Sequence, residues 1–428
     1  MPDLLPPGDG NAASGLKTTP PTACRVGWGF ITRYTLAYMG TCLLFLAPVL
    51  VTLALKVNSL VGIDRAPNNL ALVAGVGALL AMVSNPFFGK MSDRTSSRRG
   101  MRVPWMVIGL VGGSLGILIV ALAPSIPVVL IGWCTAQLFF NALLAAMAAV
   151  LPDQVPAAQR GLVSGVLGVC LPIASVSGTF VVQLFSGSRL AMFLVPCAIG
   201  GFFILLFAFT LKDRRLAVAD KPAWSLREFA ATFYVNPRQS PDFAWAFTSR
   251  FMVVLAYAFL TTYQAYYLLD RIGSAEADVP RQIFLGTLVQ SAVVVTASLI
   301  GGTVSDRTGR RKVFVCTAAA VYGLAMFVIA VAAGFNGFLV GMAIGGLGFG
   351  LYMAVDLALV ADVLPDKGSV AKDLGVLNIA GALPSSIAPG LAPVILAVGG
   401  GSYGVLYAIA GICAILGAAA ILPVKGVR

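Results

Sequence analysis

Ser92-Asp93-Arg94-Thr95 recurs as Ser305-Asp306-Arg307-Thr308, 213 residues further along, and Leu151-Pro152-Asp153 recurs as Leu364-Pro365-Asp366 at the same offset. Gly89 and Arg98 map onto Gly302 and Arg311 at that spacing, and Trp28-x-Phe30-x-x-Arg33 matches Trp245-x-Phe247-x-x-Arg250 at an offset of 217. Identical runs at one offset mark a duplicated chain. The second half is four residues shorter between its first apolar segment and its first basic loop.

The segments between these runs say what was duplicated. Of the 428 residues 58% are hydrophobic and 11% charged, against roughly 25% charged in a soluble domain. That excess of apolar surface needs lipid as its solvent. A helix crosses the hydrocarbon with about 20 apolar residues. This length places spans at 30–55, 68–91, 103–123, 125–150, 160–186 and 189–211, and again at 242–269, 280–304, 312–333, 336–362, 371–397 and 401–423. The repeated runs fall beside the same helix ends in each set. The expectation is an all-α integral membrane protein of twelve transmembrane helices in two pseudo-symmetric six-helix bundles. Residues 28–211 and 242–428 form the bundles, 1–27 a disordered tail, and 212–241 a linker.

The net charge of +12 raises nucleic acid as a partner, but the cations sit in short clusters between apolar runs. If the N-terminus is inside, 24 of the 29 lysines and arginines lie on the inner side; Lys56, Arg65, Arg189, Arg271 and Arg281 lie outside. Moving cations across against the potential is costly, so both termini are placed in the cytoplasm, the protein in the plasma (inner) membrane, and nucleic acid is excluded. The chain has no histidine, and six of its seven cysteines lie in apolar runs. No metal-ligand spacing, disulfide framework or imidazole relay follows. No phosphate-binding loop occurs either, so no cofactor and no ATP use are expected. The expected partners are the bilayer, a small-molecule substrate and H+, with the chain a monomer.

Gly302-x-x-x-Asp306-Arg307-x-Gly309-Arg310-Arg311 resembles the loop signature between the second and third helices in the major facilitator superfamily. The first copy, Gly89-Lys-Met-Ser-Asp93-Arg94-Thr-Ser-Ser-Arg98-Arg99-Gly100, has Ser96 at the glycine position and is similar to the loop of glycoside–pentoside–hexuronide and sucrose:proton symporters. The resemblance implies a major facilitator fold with a site between the halves. It also implies a cytoplasmic gate. Asp93, with Arg94, approaches the start of the eleventh helix near Lys372; Asp306, with Arg307, approaches the start of the fifth near Arg160. Arg98, Arg99, Arg310 and Arg311 read as topology markers. Two departures stand out. The second helix lacks the acidic residues of the melibiose-type cation site, and Gly168-Val-Cys-Leu-Pro172 separates the glycine and proline that drug antiporters join.

Embedded charge is the sharper clue, because each such group costs a few kcal/mol unless paired or wet. Of the seventeen acids only Asp356 and Asp362 fall inside a predicted span, Asp362 at its inner mouth and Asp356 six residues deeper. In the resembled fold the seventh and tenth helices line the cavity, which lets Arg250 pair with Asp356. Such a pair is either a proton switch or a permanent structural bridge. Arg33 has the repeat position of Arg250, yet Leu143 stands where Asp356 would be matched. Arg33 therefore reaches an acid across the cavity, binds an anionic group or faces water.

Polar and aromatic residues three and four apart share a helix face. Tyr34 and Tyr38 with Thr41, then Trp133, Gln137 and Asn141, then Tyr257, Thr261 and Gln264, and finally Tyr352 one turn from Asp356, form such sets on the first, fourth, seventh and tenth helices. Together they suit a hydroxyl-bearing or mixed polar–apolar solute; singly, each reads as a hydrogen bond between helices. Tyr266 and Tyr267 read as interface anchors, Gly341, Gly345, Gly346 and Gly350 as close packing, and Pro172, Pro384 and Pro389 as kinks. The function expected is a secondary active transporter working by alternating access, coupled to protons, with sugar-like uptake favoured. Proton-driven efflux of an amphipathic compound is the alternative, and a membrane sensor on the same fold the non-transport reading. An enzyme is not expected, since no nucleophile is paired with a base.

Overall fold

The computed structural model describes residues 25–214, 216, 241–308, 310–362 and 370–424, the side chains of 157, 306 and 357–378 excepted. The expected tail lies almost wholly, and the linker largely, outside these residues. Twelve helices are long and apolar enough to cross a membrane, from 18 to 34 residues each. In the first half they are α1 (Trp28–Val61), α2 (Ala66–Asp93), α3 (Val103–Leu122), α4 (Ile126–Gln154), α5 (Ala158–Leu184) and α6 (Arg189–Thr210). The second half has α7 (Pro241–Arg271), α8 (Val279–Thr308), α9 (Arg311–Val331), α10 (Phe335–Asp362), α11 (Val370–Val398) and α12 (Tyr403–Ala420). Helix is the form that satisfies every backbone amide within the segment when no water is present to do so. The turns at Ala123 and Ala332 stop α3 and α9 within a residue or two of the breaks read from the sequence.

The duplication is visible in the packing. In the first half α3 packs on α4, α2 on α4, α1 on α6, α1 on α5 and α3 on α6. The second half repeats each pairing six helices later, as α9 on α10, α8 on α10, α7 on α12, α7 on α11 and α9 on α12. Between halves the same exchange holds, α2 against α11 and α5 against α8. Large apolar side chains such as Leu72, Leu79, Val83, Val111, Leu115, Phe202 and Phe209 remain on the outside. On a protein of this composition, that is the lipid-facing surface.

Close approach of backbones is bought with glycine. A Cβ on Gly40 of α1 would sit 2.8 Å from the Gly200 carbonyl oxygen of α6, and one on Gly200 equally close to that of Gly40. Gly346 and Gly350 of α10 meet the carbonyls of Gln290 and Val294 of α8 at 2.6 Å in the same sense. The helices are not uniform along their length. α1 and α7, the first helix of each half, both carry a π-helical stretch, at Pro48–Thr52 and Tyr267–Arg271. α5 is interrupted at Val169, three residues before Pro172, a place where the ladder is already weakened.

The glycine contact makes a stability prediction. Gly200→Val should destabilise the purified protein by about 1–3 kcal/mol through overpacking, seen as a lower midpoint in a detergent melting assay. Gly161→Ala, where a Cβ meets nothing within 4 Å, should leave the midpoint unchanged or raise it.

Candidate functional site

Arg250 of α7 and Asp356 of α10 are joined by a hydrogen-bonded ion pair, Nη1 to Oδ2, with the Asp356 side chain 4% exposed and that of Arg250 15%. The pairs of Arg102 with Asp93 and Asp153, and of Arg189 with Glu276, lie instead at helix ends and loops. Tyr352 and Ser249, both buried, sit against it without a hydrogen bond of ordinary geometry. Arg250 Nε is also unpartnered. Gly381 of α11 leaves room beside the guanidinium, since a Cβ there would lie 3.8 Å from Nη2. The pair thus sits where α7, α10 and α11 meet, among polar atoms that are only partly satisfied.

The first half has no counterpart. Leu143 is fully buried and fills the gap over Gly109 of α3. Arg33 turns back along its own helix, Nε donating to the Gly29 carbonyl at 2.8 Å. Among the described residues no carboxylate pairs with it.

The polar sets divide into two kinds. Tyr34 is completely buried and its hydroxyl donates to the Met147 carbonyl of α4 at 2.9 Å. Tyr38 packs edge-on against it, and Thr41 bonds the Ala37 carbonyl of its own helix. On α4, Trp133, Gln137 and Asn141 are all buried. Asn141 donates to the Gln137 carbonyl at 2.8 Å and accepts from Asn85 of α2 at 3.4 Å, while the Trp133 ring occupies the space left by Gly77. These side chains join helices within the first half. In contrast, Tyr257, Thr261 and Gln264 of α7 line a cavity reached also by α1, α5, α8 and α10. The face of α8 that meets them, Thr287, Gln290 and Ser291, was missed in the sequence. Its signal is the same three-and-four spacing that marks the other polar sets.

Tyr266 and Tyr267 depart from the expectation of interface anchoring. Both are fully buried. The Tyr266 hydroxyl donates across the halves to the Ala54 carbonyl at 3.0 Å, and that of Tyr267 donates to the Ile329 carbonyl at 2.7 Å. Gln264 Nε2 reaches the Leu50 carbonyl at 3.4 Å, and Arg189 pairs with Glu276 at 3.6 Å. These contacts tie the halves together at the side away from the basic loops.

On the basic side, the Asp93 carboxylate is held within its own half by Arg102, at 2.6 Å. Arg102 is buried; it also bonds Asp153 at 2.8 Å and Ser92. Burial works to lower the Arg102 guanidinium, but the bonds with Asp153 and Asp93 outweigh it and hold it above the ordinary arginine value. Asp213, just past α6, accepts from the backbone amides of Arg102 and Val103 at 2.6 and 3.0 Å. That is a carboxylate where the amides at the start of α3 are otherwise unbonded. Arg160 bonds the Val155 and Pro152 carbonyls at 3.0 and 2.9 Å and so closes the end of α4. Arg94 has a buried nitrogen without a partner, and Arg307 is exposed. The side chains of Asp306 and Lys372 lie outside those described. Arg102 escaped the sequence reading because it lies beyond the repeated motif, and the 213-residue offset maps it onto Val315.

Comparison with known proteins adds the following. The profile of the Major Facilitator Superfamily matches residues 30–289 and 277–427. No curated protein matches the chain significantly in sequence. Among solved structures, it resembles a bacterial homologue of the human lysosomal transporter Spinster in an inward-facing, unoccupied conformation. The TM-score there is 0.68 at 15% identity, over 93% of this chain and 98% of that one. It also resembles a mutant of the nucleoside transporter NupG, at a TM-score of 0.71 and 13% identity over 92% and 99% of the two chains. A D-xylose-proton symporter matches at 0.70 and 14%, over 94% and 99%.

The Arg102 cluster predicts a contrast between neighbouring arginines. Arg102→Met should destabilise the protein by on the order of 2–3 kcal/mol, the worth of hydrogen bonds to charged groups, whereas exposed Arg98→Met should change the melting midpoint little.

Proposed function

Since the chain belongs to the Major Facilitator Superfamily, we propose that it is a secondary active transporter of the plasma membrane that carries a small organic solute by alternating access, driven by protons. The observation that carries this reading is the Arg250–Asp356 pair, which lies wholly within the spans. It sits on helices that are duplicated in the fold, but its carboxylate is not, since Leu143 stands at the repeat position of Asp356. Removing one partner of a buried pair costs about 3–5 kcal/mol, because the other charge is left alone. At about 1.4 kcal/mol per factor of ten, protonating Asp356 shifts a two-state equilibrium roughly a hundred- to a few thousand-fold. That is ample to favour a conformation in which Arg250 finds water or another acceptor. Tyr352 and Ser249 are buried beside the pair with hydroxyls that have no partner, so each can take up a hydrogen bond when the pair separates.

The direction of access follows from the charges. With the basic loops in the cytoplasm, the ties at Leu50, Ala54 and Glu276 close the outer side. The structure is then the inward-facing member of the cycle, in keeping with its likeness to an inward-facing solved transporter. The gate expected from the loop motif belongs to the other state. Here Asp93 rests on Arg102, and the proposal is that it exchanges that partner for α11 when the inner side closes. Uptake of a hydroxyl-bearing solute fits the amides and hydroxyls around α7 and α8, and proton-coupled sugar transport is the activity of one similar fold. One observation favours the alternative of exporting an amphipathic compound. Tyr257 and Phe349 lie face to face, ring centroids 4.4 Å apart and 9° from parallel, as a flat apolar wall.

In proteoliposomes given an inward-directed proton gradient and a panel of labelled pentoses, hexoses and nucleosides, the native protein should accumulate at least one solute. Asp356→Asn should equilibrate that solute without concentrating it. Undiminished gradient-driven accumulation by Asp356→Asn contradicts proton coupling at this residue.

A further inference from the structure

The three residues that leave α6, Lys212, Asp213 and Arg214, are fastened to the inner ends of neighbouring helices. Gln154, at the end of α4, donates through Nε2 to the Lys212 carbonyl at 3.1 Å. The Asp213 carboxylate accepts from the amides of Arg102 and Val103 at 2.6 and 3.0 Å, and the Met101 amide donates to the Arg214 carbonyl at 3.0 Å. The loop before α3 is shaped to receive this strap. Gly100 stands at φ +100°, and a Cβ there would collide with the Asp213 side chain, so backbone angle and space both call for glycine. In the second half the end of α12 is also fastened to the start of α9, but through Lys312, whose Nζ donates to the carbonyls of Leu422 and Val424. Joining the sixth helix to the third therefore belongs to the duplicated fold. The carboxylate, and the residue it lands on, belong to the first half, since Val315 stands where Arg102 would recur.

Arg102 commits its guanidinium to Asp93 through Nη2, to Asp153 through Nε and to Ser92 through Nη1, while its amide is bonded to Asp213. One residue thus joins the strap, through its backbone, to the gate carboxylate, through its side chain. A planar fork with three partners tolerates little displacement. Its root is the start of α3, where the amides have no acceptor within the helix and a carboxylate bonds them about twice as strongly as a neutral group. Of the two acids on the guanidinium, Asp93 is the more exposed, at 51% against 22% for Asp153. Its bond is therefore the first to be replaced by water or another partner when Arg102 shifts. We propose that Asp213 is a positioning residue of the inner gate: by fixing the start of α3 it keeps Arg102 on Asp93, and so favours the conformation open to the inside. The inference deepens the transporter reading and rests on it, since in that reading Asp93 released from Arg102 passes to α11 as the inner side closes.

The test is hydrogen–deuterium exchange of the purified full-length protein, read by mass spectrometry with neither solute nor gradient present. Peptides over 265–280 report the outer ties at Tyr266 and Glu276. Peptides over 158–168 report the inner end of α5, which is mostly exposed in this conformation. Asp213→Ala should exchange at least threefold faster than the native protein over 265–280 and more slowly over 158–168. Asp213→Asn, which keeps an acceptor but not the charge, should shift both by less. Should Asp213→Ala not fold, as judged by its melting midpoint, Asp213→Asn serves in its place, with the same directions expected. Lys312→Met loosens the matching contact of the second half without touching Arg102 and should leave 265–280 unchanged. Faster exchange confined to the loop before α3, or an equal response to Lys312→Met, overturns the positioning role. Asp356→Asn, which imitates the protonated pair, separates this role from the reading beneath it. If Asp356→Asn moves both peptides and a folded Asp213 variant moves neither, the positioning role alone is overturned. If no variant moves them, the transporter reading is contradicted as well.

Discussion

A carboxylate and a guanidinium placed in hydrocarbon have few acceptable fates, and the bond between Asp356 and Arg250 is the one this protein adopts. Either group left alone in the bundle costs several kcal/mol, so the bond fixes how α7 and α10 approach each other. Everything around it is arranged as for a contact that must also open. Arg250 Nε, Ser249 and Tyr352 are left short of partners, and Gly381 presents no side chain to the guanidinium. A purely structural bridge would be expected to have its remaining donors and acceptors satisfied. Partial satisfaction is what allows the pair to be exchanged at modest cost.

The duplicated architecture gives that bond its leverage. Each half is a six-helix unit with the same internal contacts, and the halves meet through equivalent seams, α2 with α11 and α5 with α8. Symmetric units can rock about such seams with little change to their interiors. The charge pair breaks the symmetry. Where α10 carries Asp356, α4 carries Leu143 packed over Gly109, and its neighbours Trp133, Gln137 and Asn141 are engaged inside the first half. The second half carries the embedded charge pair and most of the polar cavity wall. The ties on the non-basic side, from Tyr266 to Ala54 and from Gln264 to Leu50, fall beside the π-helical stretches of α1 and α7. Such stretches leave backbone groups loosely committed.

The twelve spans and the duplication were legible in the sequence because both are written in long-range features, apolar length and identical runs, that no single contact can disturb. The Arg250–Asp356 partnership followed from the count of embedded acids together with the resemblance, which implies that the seventh and tenth helices line one cavity. Individual polar side chains were harder to assign, and for a definite reason. In a membrane protein a tyrosine or asparagine on an inward face has two equally good partners, a solute and the carbonyl of the next helix. Tyr34, with its hydroxyl on Met147, took the second, and Asn141 turned its amide to the Gln137 carbonyl of its own helix. Tyr266 and Tyr267 also took the second, Tyr266 on the partner half at Ala54 and Tyr267 within its own half at Ile329, so that neither reaches the interface that their position near a helix end suggested. Arg102 was invisible because its role depends on three loop ends converging, Ser92 and Asp93, Asp153 and Asp213, from distant parts of the chain. The α8 face of Thr287, Gln290 and Ser291 was readable from its spacing, but only the packing places it against α7.

The central claim is that Asp356 changes its protonation state while buried, and infrared difference spectroscopy of the reconstituted protein reads that event with no solute required. As pH is lowered, the account predicts that the stretch of a protonated carboxylic acid in an apolar setting appears, shifts in deuterium oxide, and is missing from Asp356→Asn. A protein that shows no such band across its stable pH range, or the same band in Asp356→Asn, contradicts it.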